Sequence, residues 1–145
     1  MTGEVSMTSY TIQETYELPF DDAVAAVRAE LAKVGFGVIT EIDLSATLRE
    51  KAGAEIPAEV ILGACNPRFA HRAITADPSV AALLPCNVVV RSLGDGATLA
   101  EAFDPAAMMR LASGHDDLET LAAEVGHQLR AALRAVPTPP PPDTP

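Results

Sequence analysis

The residues of this chain best suited to chemistry are its two cysteines, Cys65 and Cys86, and each is followed by an asparagine. One segment reads Gly63-Ala64-Cys65-Asn66-Pro67 and the other Leu84-Pro85-Cys86-Asn87-Val88-Val89-Val90. A thiolate is both a soft metal ligand and a nucleophile, and its pKa falls beside a helix N-terminus. Cys65 stands immediately before Asn66 and Pro67, which read as a helix cap and first helical residue, so the dipole there favours its thiolate. The competing reading makes each cysteine a small apolar residue packed under a loop. The spacing contains no Cys-x-x-Cys, and a tetrahedral zinc site needs about four ligands. Asn66 and Asn87 offer two carboxamides for a polar ligand. Equally, Asn66 is a good helix cap and Asn87 can close a turn.

Glu41 and Asp43 lie two apart on a predicted strand and so share one face, where paired carboxylates can move protons or hold a cation. A solvated sheet face is the simpler account of them. His71 falls one turn into the helix after Asn66, within reach of Cys65 if it aims back. His115 sits in a Gly-His-Asp-Asp loop before the last helix, and His127 lies in that helix beside Gly126, where a close helix–sheet contact is expected. Gly35-Phe36-Gly37 and Gly94-Asp95-Gly96 lack the strand-to-helix context and further glycines of a phosphate loop. No Gly-x-Ser-x-Gly elbow is present, and no complete catalytic set emerges.

The elements that must position these residues can be read from periodicity. Tyr10 to Glu17 alternates as a half-buried strand and Pro19 ends it. Asp21 or Asp22 is positioned to cap a helix carrying Val24, Val27, Leu31 and Val34 at three- and four-residue spacing, and Gly35 closes it. Phe36 to Leu44 reads as a strand, Ser45 to Gly53 as a short helix capped by Ser45, and Glu59 to Ala64 as a third strand. Pro67 to Asp77 is helical. Asn87 to Ser92 and Thr98 to Phe103 form a hairpin about Gly94-Asp95-Gly96. Asp104-Pro105 opens a brief helix through Met108 and Met109. A final amphipathic helix places Leu118, Leu121, Val125, Leu129 and Leu133 on one face.

If the third and fourth strands are antiparallel neighbours, Cys65 ends one beside the start of the other at Cys86. Both thiols then meet at one edge of the sheet, with the Pro67 helix folding back over them.

At 145 residues and 48% apolar content the chain fits one domain, with a core of Val, Leu, Ile and Ala because Trp is absent. A formal charge of −10, with the ten basic residues scattered, opposes binding to nucleic acid or an acidic membrane surface. No apolar run approaches the roughly 20 residues of a membrane span. The first residues lack a basic start and an apolar stretch, which excludes a signal peptide and makes the cytoplasm, with both cysteines as thiols, the expected compartment. Residues 1–8 read as a dispensable tail, 9–136 as the domain, and 137–145, rich in proline, as a polyproline-like tail.

The Cys-Asn segments, with Gly35-Phe36-Gly37 and Glu41-Ile42-Asp43, resemble the bacterial and archaeal domain of unknown function 302 family from about Tyr10 to Val136. The resemblance implies an α+β fold of β-α-β4-α order: a five-stranded antiparallel sheet, similar to the TATA-binding-protein-like group, with short helical insertions and a long C-terminal helix on one face. The expected function is a homodimeric binding module with a small pocket where the two Cys-Asn segments meet. Its candidate residues are Cys65, Asn66, Cys86, Asn87, His71, Glu41 and Asp43. Any metal would use Cys65, Cys86 and His71, and the residues indicate no particular cofactor. One alternative is a thiol- or metal-dependent enzyme using Cys65 with His71 or Cys86. Another is an interaction subunit whose Cys-Asn turns are purely architectural.

Overall fold

The computed structural model describes residues 10–109 and 116–137. The proposed tail at 1–8, the proposed 137–145 tail apart from Pro137, and His115 lie outside the described residues. Five antiparallel strands, β1 (Thr11–Tyr16), β2 (Gly37–Asp43), β3 (Glu59–Cys65), β4 (Cys86–Gly94) and β5 (Ala97–Phe103), form one sheet in the order β1-β5-β4-β3-β2. Among the described residues five α-helices are interleaved with them: α1 (Phe20–Lys33), α2 (Leu44–Ala52), α3 (Pro67–Ala76), α4 (Pro105–Met109) and the long α5 (Asp116–Arg134). The β-α-β4-α order expected from the resemblance holds, with α2, α3 and α4 as the insertions.

Alternation along the strands sorts the sheet into two faces. Val60, Leu62 and Ala64 of β3, Val88 and Val90 of β4, and Ala100 and Ala102 of β5 are buried on one face. Helices α1 and α5 lie against each other and against that face, supplying Val27, Leu31, Val125, Leu129 and Leu133 to the same core. All five apolar residues predicted for the α5 face are buried. Each buried Leu or Val stabilises the fold by roughly 1.5–3 kcal/mol relative to an exposed one. Tyr16 closes this core by donating its hydroxyl to the Leu133 carbonyl at 2.5 Å.

A second, smaller cluster gathers Ala73, Val80, Met108, Leu118, Leu121 and Ala122, under α3, α4 and the first turns of α5. Val80 comes from a 3-10 helix, Pro78–Leu83, that the sequence pattern did not reveal. This turn occupies the connection from α3 to β4 and supplies part of the lining discussed below.

Two helix starts differ from expectation. Neither Asp21 nor Asp22 caps α1: Pro19 precedes the first helical residue, and the Pro19 carbonyl accepts from Ala23 N at 3.0 Å. The two acids lie instead in the first turn, where the dipole favours negative charge. At α2 the cap is Asp43 rather than Ser45. Its Oδ1 accepts from Ala46 N at 2.9 Å and from Ser45 Oγ at 2.8 Å, and those bonds hold its carboxyl below the usual range.

Candidate functional site

The register of β3 and β4 brings the cysteines together. Ala64 pairs directly with Cys86, and Cys65 is the next residue along β3. Both thiols are free and half-buried at one end of the sheet, as the strand argument requires. Asn66 then starts α3, its Oδ1 accepting from Arg68 N at 3.2 Å and Phe69 N at 3.4 Å, with Pro67 as the first helical residue.

Beside this junction lies an apolar cavity of about 60 Å³. Its position follows from the two packing clusters, because it occupies the seam between them. Phe36, Ala64, Cys86 and Val125 reach it from the side of the main core, and Met108, Leu118, Leu121 and Ala122 from the smaller cluster. Cys65, Asn66 and Phe69 line it where β3 turns into α3. The Phe36 and Phe69 rings meet at a centroid distance of 6.2 Å, so the end of α1 and the start of α3 share one wall.

Burial, reinforced by the neighbouring Cys65, pushes the Cys86 thiol up to about 11. It is therefore a neutral S–H at ordinary pH, which is the opposite of an activated nucleophile. The Oδ1 of Asn66 is already engaged by two backbone amides, and among the described residues no carboxylate or imidazole lines the cavity.

Three of the four Cys-Asn residues thus share this cavity, and the fourth does not. Asn87 follows Cys86 on β4 and so turns to the opposite face, where it pairs with Gly63 and is exposed. There it borders a wider groove of about 480 Å³, lined also by Tyr10, Leu83, Pro85, Glu101 and Phe103. Burial opposes ionisation of Glu101, but hydrogen bonds from Gln13, Thr11 and Arg91 prevail and hold its carboxyl below the usual range.

This geometry accompanies a match, over residues 10–136, to the family described as domain of unknown function DUF302. The chain belongs to that family. A DUF302 relative of known structure, titled crystal structure of uncharacterized conserved protein DUF302 from Bacillus stearothermophilus, is 24% identical and superposes with a TM-score of 0.83. The alignment covers 90% of this chain and 100% of that one, and shows a shared fold. No curated protein matches the chain.

In this DUF302 domain the remaining candidates lie apart from the cavity. His71 is exposed and lines a separate surface hollow between α3 and α5 with Arg72, Asp117 and Thr120. Glu41 is exposed on the edge strand β2 and pairs with Arg28 of α1 at 3.1 Å. Asp43 is occupied as the α2 cap. Among the described residues, no three or more His, Cys, Asp or Glu side chains converge, and no helix is long and apolar enough to cross a membrane. His127 is exposed, while a Cβ on the buried Gly126 would meet Arg130, Asp104 and Pro105 at ordinary contact distance rather than the sheet.

Phe36, Phe69 and Met108 were not singled out from the sequence. Phe36 could have been, since it stands between two glycines at the end of a helix whose neighbours are all placed. Met108 carries no comparable local signal, because its position depends on where α4 docks.

Proposed function

We propose that this DUF302 domain is a cytoplasmic homodimeric module that binds a small ligand in the apolar cavity beside Cys65 and Cys86. The observation that carries the reading is the cavity itself, which lies where the two apolar clusters meet and is walled almost wholly by apolar side chains. Close-packed interiors rarely leave room larger than a water molecule, and gaps with apolar walls stay dry and accept apolar guests. Two free thiols support the assignment to a reducing compartment. The folded unit is taken as residues 9–136.

The test is a ligand-observed NMR screen of small apolar fragments against wild type and Ala70→Leu, which extends a side chain from α3 into the cavity. Fragments that bind wild type and lose binding in Ala70→Leu support the pocket. Binding unchanged by that substitution sinks it.

The dimer reading rests on the sheet face turned away from α1 and α5. Ile42, Ile61 and Val89 stand in one row across β2, β3 and β4. Ile42 is 48% exposed, and Ile39, at the β2 irregularity, is 63% exposed. An apolar row of this kind is self-complementary about a two-fold axis, the commonest symmetry of soluble assemblies. Light scattering that finds a 15.1 kDa particle at micromolar concentration rejects the dimer.

A further inference from the structure

The size of the cavity and the chemistry of its walls narrow what it can hold. We propose that its occupant is an uncharged, apolar molecule of gas size, no larger than a hydrocarbon of about two or three carbons. This rests on the reading of the cavity as the binding site and adds the size and chemical class of its ligand.

Volume sets the size. An engineered apolar cavity of about 150 Å³ accepts benzene, whereas this one is about 60 Å³. Benzene's six carbons, scaled by that ratio, leave room for about two or three. The walls are drawn from the packed interior, since Phe36, Ala64, Met108, Leu118 and Leu121 are all buried. Close-packed side chains yield to an oversized guest only at a cost.

Wall chemistry sets the class. Among the described residues no carboxylate, imidazole, ammonium or guanidinium lines the cavity. Burial keeps the Cys86 thiol neutral, and Asn66 Oδ1 is occupied by the α3 cap. A charged or strongly polar guest would lose its hydration with nothing to replace it. Water is disfavoured on the same ground: a buried water makes about three hydrogen bonds, and these walls offer few partners. An apolar guest gives up no hydrogen bonds on entry and gains contact with Phe36, Phe69 and Leu121.

Cys86 and Met108 also line the neighbouring groove of about 480 Å³, so they stand between the cavity and an open surface. The unbranched Met108 thioether has three rotatable bonds, and a rotamer change there gives a molecule this small a way in.

The experiment adds xenon, ethene, propane and benzene in turn to the full-length protein and follows its methyl NMR signals. Shifts at the Leu118, Leu121 and Val125 methyls report the cavity. Xenon, ethene and propane should saturate those shifts. Benzene should bind roughly tenfold or more weakly than propane, the order of penalty for overpacking such a wall. Ala70→Leu should weaken xenon by a similar factor. Phe69→Leu, which replaces a ring by a smaller side chain, should strengthen benzene by roughly tenfold, and it decides the matter if Ala70→Leu does not fold. Ethylammonium, similar in size to propane but charged, should not bind. Benzene binding wild type as tightly as propane, and lost in Ala70→Leu, overturns the size limit while leaving the pocket. Ethylammonium binding as tightly as propane overturns the chemical class. Shifts unaltered by both substitutions, or no shift with any probe, remove the pocket and this inference together.

Discussion

The carboxamide of Asn66 closes over Gly35: its Nδ2 stands 2.9 Å from where a Cβ on that glycine would lie. The two residues are 31 apart in sequence, yet they join the end of α1 to the start of α3. Gly35 ends its helix with φ of +89°, a conformation that L side chains rarely adopt. The same carboxamide caps α3 through its oxygen. One side chain therefore caps α3 and lies against the glycine that ends α1.

Gly35→Ala should destabilise the protein by about 2 kcal/mol or more, from backbone strain plus the clash with Asn66. Asn66→Ala should cost about 1 kcal/mol, the ordinary value of a lost cap, while Asn66→Ser keeps an acceptor and should cost only a few tenths. Urea denaturation of the three variants checks the ranking. A Gly35→Ala variant as stable as wild type would contradict this account of the junction.

Gly63, which opens the first Cys-Asn segment, is held more tightly. A Cβ on Gly63 would meet Thr40 Oγ1 at 2.1 Å and Pro85 Cγ at 3.0 Å. Thr40 sits across the β2–β3 ladder at the register shift, and Pro85 immediately precedes Cys86. Gly63→Ala must displace one of them, for a loss of roughly 1–3 kcal/mol as in other overpacked sites. Thr40→Ala removes the oxygen in closest approach and leaves the added carbon 3.4 Å from the residue-40 Cβ and 3.0 Å from Pro85 Cγ, so only the proline must still give by a few tenths of an ångström. The double variant should then recover much of the loss, a coupling on the order of 1 kcal/mol between neighbours. Additive losses in a double-mutant cycle would mean that the Pro85 contact, not Thr40, decides the cost.

Much of this fold was legible because its signals are local. Apolar runs bounded by turn residues located β3 and β4, and three- and four-residue spacing fixed the buried stripe of α5. The meeting of Cys65 and Cys86 followed from one topological assumption, that β3 and β4 are antiparallel neighbours. The separation of Asn87 from Asn66 was also open to derivation. Asn87 follows Cys86 on a strand, and a period of two sends consecutive side chains to opposite faces. What local pattern could not give was the cavity. It depends on how α3, the 3-10 turn and α4 dock beside the main core, and no single segment encodes that distance. The cap of α1 failed for a different reason: acids in a first turn and an acid at the cap position look alike in sequence.

Alkaline pH should loosen the structure before it affects most surface groups. Burial pushes the Cys86 thiol up to about 11 from an ordinary value near 9, and burial followed by the nearby Glu14 charge raises the Tyr16 hydroxyl as well. In both cases the folded state favours the protonated form more than the unfolded chain does. The stability this contributes is complete below the unfolded pKa and is lost as pH rises through the folded one. Melting temperature should therefore be flat near neutrality and decline from about pH 9 upward. Each pKa unit corresponds to roughly 1.4 kcal/mol, and partial exposure of Cys86 reduces its share to about 2 kcal/mol. Cys86→Ala should start from lower stability and show a shallower decline between pH 9 and 11. Tyr16→Phe loses the bond to the Leu133 carbonyl, on the order of 1 kcal/mol at neutral pH, and should flatten the curve only at its alkaline end. Melting curves of the three proteins across pH 7–11 check both signs. A Cys86→Ala profile parallel to wild type over that range would show that the buried thiol does not control the alkaline transition.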